Sequence, residues 1–368
     1  METNLQQKNF VTPRLQLVAW ELTRSCNLLC AHCRGSASDS RFSGELSTTE
    51  CLCLIDQILK VASPMLILTG GEPLVRDDIV QIASYAVSKG LKVVMGTNGT
   101  LLTEAMAAKL KTIPVSRVGI SLDFPTAELQ DEFRGKAGAF EAALAGIANA
   151  RAAGIDVQIN STITKSNVSL LPELVFLALK VGAVAFHPFM LVPTGRGRVL
   201  KSLEVSPEQY EETLNWIFDR RLGLEQKMFF KPTCAPHYLR VVKQRERKIR
   251  MSGNTQSVPN HNAMHSLTRG CLAGTGFAFI SYQGKIKGCG YLDIEAGDVR
   301  KESFSQIWNN SPLFQKLRNL SNLNGNCGVC EYKRVCGGCR ARAYEATGDY
   351  LAAEPYCIYQ PAPQQLVK

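Results

Sequence analysis

The chain has 368 residues, of which 45% are hydrophobic and 20% charged. This is ordinary globular composition, with apolar side chain enough for one large core or two smaller ones. The formal net charge is +10 and the pI is near 9.0, which suits a basic soluble protein, a nucleic-acid binder or an enzyme with an anionic substrate.

No zinc finger, basic helix or aromatic-stacking ribbon supports a nucleic-acid partner. Residues 1–13 are polar and do not form a signal peptide. With no apolar run of ~18 residues, no membrane span is expected. The expectation is a cytoplasmic protein, where structural disulfides are rare. The chain nevertheless carries 13 cysteines. Thiolates at that density in a reducing compartment point to metal, as zinc or iron–sulfur.

Short apolar runs predict strands at 15–23, 65–70, 91–97, 115–122, 155–164 and 183–191. Helical segments fall between them near 47–61, 78–89, 103–111, 138–153 and 170–180, with another at 207–221. Strands and helices in alternation predict a parallel sheet with helices on its outer face. The strands read as too apolar to leave a face in water. The motifs sit at strand C-terminal ends and must converge on one rim, which favours a partial (β/α)6 TIM-like barrel over a doubly wound sheet. Beyond about 230 the pattern breaks down, and only short strands at 277–282 and 285–289 are predicted. The expected division is a barrel over 15–225 and a Cys-rich iron–sulfur domain over 230–360, with the boundary near 222–232. Ligated metal is expected to supply folding energy in the second.

Directly after the first strand stands Cys26-Asn-Leu-Leu-Cys30-Ala-His-Cys33. Three thiolates can grip three irons of a cubane, whereas a [4Fe–4S] cluster normally takes four. One iron is thus left open for the amino and carboxylate groups of a ligand. The competing reading is zinc completed by His32. Cys-x3-Cys-x2-Cys in this position resembles the signature of the radical S-adenosylmethionine (SAM) enzymes. The resemblance makes Cys26, Cys30 and Cys33 both metal ligands and catalytic residues. It implies that Gly70, Gly71 and Glu72, in TGGEP, take the SAM ammonium. Ser121, Asp123 and Asn160 fall where that family places ribose contacts, Arg134 where it pairs with the SAM carboxylate, and Asn98 where it lines the pocket. His32 stands where an aromatic residue is common and could cover the adenine.

A second set reads Cys271-x12-Gly284-x4-Cys289, then Cys327-x2-Cys330-x5-Cys336-x2-Cys339, then Cys357. It is similar to the SPASM extension of radical SAM enzymes, which holds auxiliary clusters. By that pattern Cys327, Cys330, Cys336 and Cys357 bind one [4Fe–4S] cluster. Cys271, Cys289 and Cys339 bind a second, for which Cys234 could be the fourth ligand; an open iron, or no second cluster, are the alternatives, as are two structural zincs for the whole set. Cys51 and Cys53 need no metal.

The segments 20–34, 187–198, 268–292 and 327–357 together resemble the heme b synthases of the siroheme-dependent heme pathway, from about 15 to 360. That resemblance implies radical oxidative decarboxylation of two propionates of iron-coproporphyrin III to vinyl groups, with a low-potential electron donor. An auxiliary cluster would accept the electron left by each decarboxylation. Arg196, Arg198, Lys231, Arg340 and Arg342 are then candidates to pair with propionates. His187 and His237 read first as structural histidines, and otherwise as groups approaching the substrate iron. The rival readings are a sister enzyme of heme d1 maturation or of didecarboxysiroheme acetate removal, a peptide-modifying SPASM enzyme, and an electron-transfer protein without SAM chemistry. Only about 14 residues precede the first strand, which argues against a peptide-recognition domain there.

Overall fold

The computed structural model describes residues 13–224, 227–252 and 269–362. The six expected strands form as β1 (Leu17–Glu21), β2 (Met65–Thr69), β3 (Val93–Thr97), β4 (Arg117–Ser121), β5 (Asp156–Ile163) and β6 (Ala185–Met190). They pair in parallel in that order, and the chain crosses over between them through α1 (Thr48–Leu59), α2 (Ile79–Ser88), α3 (Glu104–Thr112), α4 (Ala127–Arg134), α5 (Ala139–Ala152) and α6 (Leu171–Lys180). Local chemistry sets several helix ends. Ser47 and Glu50 close a capping box on α1, Thr103 caps α3, and Gly135, in the left-handed region, ends α4.

One face of each strand lies buried under the helices. The other is half-exposed, as the alternation along β5 and β2 shows. The expectation that neither strand face meets solvent therefore needs correcting. An incompletely closed barrel leaves its inner face lining a hollow, and inward residues such as Ala19 and Ile67 are only half-buried. A reading from apolar content alone misses this.

The helix α4 was not expected because AELQDEFR carries no apolar stripe; its buried residues are Gln130 and Arg134. Beyond α7 (Pro207–Leu224) the chain adds a two-residue strand β7 (Phe229–Phe230) to β6, then α8 (Tyr238–Met251). The short strands expected near 280 appear as β8 (Phe277–Ile280) and β9 (Lys285–Cys289), followed by β10 (Leu292–Asp298). β8 pairs in parallel with β1, Leu17 beside Phe277 and Trp20 beside Ile280. The C-terminal segment thus extends the barrel sheet in the order β10-β9-β8-β1-β2-β3-β4-β5-β6-β7. Helices α9 (Phe304–Asn310), α10 (Pro312–Arg318), α11 (Gly325–Val329) and α12 (Arg340–Thr347) complete the described chain. The buried Trp308 meets Phe314 edge-on at 5.4 Å, and Phe304 N–H donates to Gln57 Oε1 at 2.9 Å, which ties α9 to α1. Among the described residues no helix is long and apolar enough to cross a membrane.

Candidate metal and cofactor sites

The loop after β1 carries Cys26, Cys30 and Cys33, all free thiols. Cys26 N–H donates to Ser38 O, Ala31 N–H to Phe133 O and Leu29 N–H to Arg134 O, so the loop is pinned to its own return and to the end of α4. Backbone donors point at sulfur: Leu28 N–H to Cys26 Sγ at 3.4 Å and Ala37 N–H to Cys33 Sγ at 3.2 Å. Burial, with the nearby charge of Glu72 and the other two thiols, pushes Cys26 up to about 12. Burial likewise raises Cys30, although Arg134 opposes it. Three thiols on one loop, two of them buried, fit a cationic metal group, which deprotonates its ligands outright. No three Cys, His, Asp or Glu side chains among the described residues stand close enough to share one ion; a cubane makes no such demand, because each thiolate binds a different iron.

The residues around this loop also make contacts within the chain. A Cβ on Gly71 would lie 2.3 Å from Ser25 O, and one on Gly70 2.7 Å from Thr23 O. These glycines let β2 approach the cysteine loop, and their bare faces point at that loop. Glu72 is fully buried, its carboxylate accepting from Thr97 Oγ1 (2.7 Å), Asn98 N–H (2.7 Å) and Leu74 N–H (3.1 Å). It braces the rim from within, where burial pushes its pKa up to about 7, with two donors on Oε1 and one on Oε2. Asn98 donates to Asn27 Oδ1 at 2.8 Å and lies 3.9 Å from Cys26 Sγ.

Arg134 and Asp123 form a buried ion pair with each other. The guanidinium also lies 3.7 Å from Cys30 Sγ, and Asp123 accepts Thr162 N–H at 2.6 Å. Each neutralises the other's buried charge, while Arg134 Nε donates and Asp123 Oδ2 accepts no hydrogen bond among the described residues. Ser121 and Asn160 do face the hollow, side by side in register. Gly119 makes room for Asn160, whose Nδ2 would be 2.9 Å from a Cβ there. His32 stacks on Phe133 at 4.5 Å, and burial lowers it to about 4, so the ring is neutral.

The propionate candidates also separate. Arg196 donates to Cys30 O (2.8 Å) and Ala37 O (2.9 Å), with Gly195 only 2.1 Å from Arg34 O if it bore a Cβ. The segment after β6 thus clamps the cysteine loop, a role that the Gly-Arg-Gly run could have signalled. Arg340 donates to Tyr350 O and Ala352 O. Arg342 is buried against Cys234 O, Leu191 O, Glu354 and Glu204, which locks α12 to the end of β6. Arg198 is exposed and faces Glu345 at 3.5 Å. These four are engaged within the chain.

Cys327, Cys330, Cys336 and Cys357 line one pocket, with Arg240 and His237 also on its wall. Amide donors again face sulfur: Glu354 N–H to Cys327 at 3.3 Å, Tyr332 N–H to Cys330 at 3.4 Å and Gly338 N–H to Cys336 at 3.4 Å. His237 lies here, fully buried against Tyr210 at 4.5 Å. Cys234 gathers with the remaining thiols: burial, and then the neighbouring thiols of Cys339, Cys289 and Cys271, hold it well above the ordinary range. Cys234 itself sits in the left-handed region at φ 57°, which is costly for a residue with a Cβ. Only Cys51, buried, and Cys53, exposed, stand apart from these sets.

A residue that sequence reasoning missed links the first and third sets. Arg34, next to Cys33, donates to Glu21 at 3.3 Å and to Gly290 O at 3.2 Å, and lies over the Phe279 ring at 4.5 Å. Nothing in the local pattern marks it, because Glu21, Phe279 and Gly290 meet only through the β1–β8 pairing.

A partial barrel whose rim carries a three-thiol loop, joined to a Cys-rich extension, defines the class. The chain belongs to the radical SAM enzymes that carry a SPASM extension. The radical SAM superfamily pattern matches residues 20–174, and the SPASM iron–sulfur cluster-binding domain matches 271–340. The chain is 50% identical to the AdoMet-dependent heme synthase of Methanosarcina barkeri, over 94% of this chain and 97% of that one. It is 34% identical to the Fe-coproporphyrin III synthase of the same organism, over 95% and 89% of the two chains. Among solved structures, Streptococcus suis SuiB bound to S-adenosylmethionine shares the fold with a TM-score of 0.74 at 16% identity, covering 94% of this chain and 78% of that one. Iron–sulfur clusters and SAM are accordingly this enzyme's cofactors.

Proposed function

We propose that this enzyme oxidatively decarboxylates two propionate side chains of iron-coproporphyrin III to vinyl groups, giving heme b. The observation that carries this reading is half identity, over nearly the whole length of both chains, to a protein named AdoMet-dependent heme synthase.

When bound, the first cluster with SAM supplies a 5′-deoxyadenosyl radical, and the auxiliary clusters supply an electron acceptor. In this reading Cys26, Cys30 and Cys33 hold the SAM-binding cluster. Asn98, Arg196 and the Gly70–Gly71 step fix their loop, and Ser121 and Asn160 take the ribose. Glu72, with the Arg134–Asp123 pair, keeps the rim rigid, and His32 stays neutral beside it. Cys327, Cys330, Cys336 and Cys357 hold one auxiliary cluster, and Cys234, Cys271, Cys289 and Cys339 the other. Residues 15–225 act as the radical SAM core and 230–360 as the auxiliary cluster domain. A low-potential electron donor and a reducing cytoplasm suit a chain with 13 cysteines.

Anaerobic turnover with SAM, a reductant and iron-coproporphyrin III tests the reading. A monovinyl intermediate followed by protoheme is expected. Unchanged porphyrin beside active SAM cleavage would refute the substrate assignment.

A further inference from the structure

Lys231 lies one residue past β7, and the ladder to β6 runs on through it. Phe229 N–H donates to Val184 O (2.9 Å), Lys231 N–H to Phe186 O (3.2 Å) and Thr233 N–H to Pro188 O (2.8 Å). Phe186 pairs with Phe230, so Lys231 stands beside His187. His187 pairs with Asn160, and Asn160 with Ser121. Side chains alternate along a strand, and Phe230 is turned to the outer core against Phe186 at 5.8 Å. Lys231 is therefore turned inward, in one row with Ser121, Asn160 and His187. Neighbouring strands are about 4.8 Å apart; two strands from Asn160, Lys231 is roughly 10 Å away across the hollow.

This cation has no hydrogen-bonding or ion-pairing side chain among the described residues. Arg196, Arg198, Arg340 and Arg342, by contrast, are all engaged. Lys231 is sunk into the barrel yet still reached by solvent, and burial alone pushes its pKa down. A cation partly withdrawn from water, with no counter-ion among the described residues, gains when an anion arrives beside it.

We propose that Lys231 anchors a carboxylate of the substrate inside the barrel, and that this carboxylate is one the reaction retains. The inference rests on the porphyrin reading above. The retained group follows from charge. Decarboxylation discharges the carboxylate, so an ammonium beside the reacting group would favour the ground state over the transition state. On a retained propionate the same ion pair binds both states equally, and its removal falls on KM rather than on kcat.

The test uses the anaerobically reconstituted holoenzyme of parent, Lys231→Met and Lys231→Arg, with iron and thermal melting matched to confirm folding. Soret titration with iron-coproporphyrin III should show Lys231→Met weakened roughly ten- to a hundred-fold, with most of the loss recovered by Lys231→Arg. The tetramethyl ester of the same porphyrin should bind parent and Lys231→Met alike. Equal affinity of parent and Lys231→Met for the free acid would overturn the assignment of Lys231 alone. Failure of the parent to bind the free acid would bring down the porphyrin reading and this inference with it.

Discussion

The buried pair of Arg134 and Asp123 is where local motif and tertiary geometry disagree most directly, and one perturbation separates them. Arg134→Met keeps the side-chain volume and removes the charge. Asp123, 0% exposed, would then keep a buried carboxylate with the Thr162 amide at 2.6 Å and the neutral His32 ring, Nε2 at 3.9 Å, against it. Breaking one side of a buried pair costs about 3–5 kcal/mol. An unfolding entropy of ~2.1 cal/mol/K per residue makes that roughly a 4–6 °C fall in melting temperature for a chain of this length. The assay is thermal unfolding of Arg134→Met, Asp123→Asn and the double variant, all anaerobically reconstituted, with SAM affinity measured in parallel. The double variant should be more stable than the sum of the singles implies, by about 0.5–3 kcal/mol. A melting temperature for Arg134→Met within about 1 °C of the parent, together with a large loss of SAM affinity, would refute the reasoning and return the guanidinium to the SAM carboxylate.

Gly71→Ala should displace the cysteine loop, because its Cβ meets Ser25 O at 2.3 Å; the SAM-dependent spectral change should be lost while auxiliary-cluster signals persist in electron paramagnetic resonance. The triple variant of Cys26, Cys30 and Cys33 to Ala should yield no 5′-deoxyadenosine, and Cys327→Ala should lower porphyrin product more than SAM cleavage. Cys234→Ala should reduce iron per chain and remove one auxiliary-cluster signal; Cys51→Ala should leave both unchanged. Ser47→Ala, which opens the capping box of α1, should cost about 1 kcal/mol in denaturant unfolding. Chelation of iron should make residues 324–360 the first site of limited proteolysis, since ligated metal stabilises that segment.

The class of enzyme and the core strands were legible in the chain because their signals are local. Cys26, Cys30 and Cys33 share one loop, and apolar runs bounded by Gly and Pro mark β1 through β6 without reference to anything distant. The grouping of Cys327, Cys330, Cys336 and Cys357 also follows from spacing plus resemblance, and the four do line one cavity. The helix α4 stayed hidden because its buried residues are polar and leave no hydrophobic period.

The roles of individual charges were decided only by the fold. Arg134, Arg196, Arg340 and Arg342 look alike in sequence as free cations facing an anionic ligand. Each finds its partner about ten to well over a hundred residues away, on a side chain or a backbone carbonyl. The same non-local closure sets β8 beside β1, carries Arg34 to Gly290 and brings Cys234 to Cys271, Cys289 and Cys339. Residue type and spacing determine which chemistry a chain can support. Which charge is left without a partner among the described residues, as Lys231 is inside the barrel, depends on three-dimensional proximity, and no one-dimensional pattern contains it.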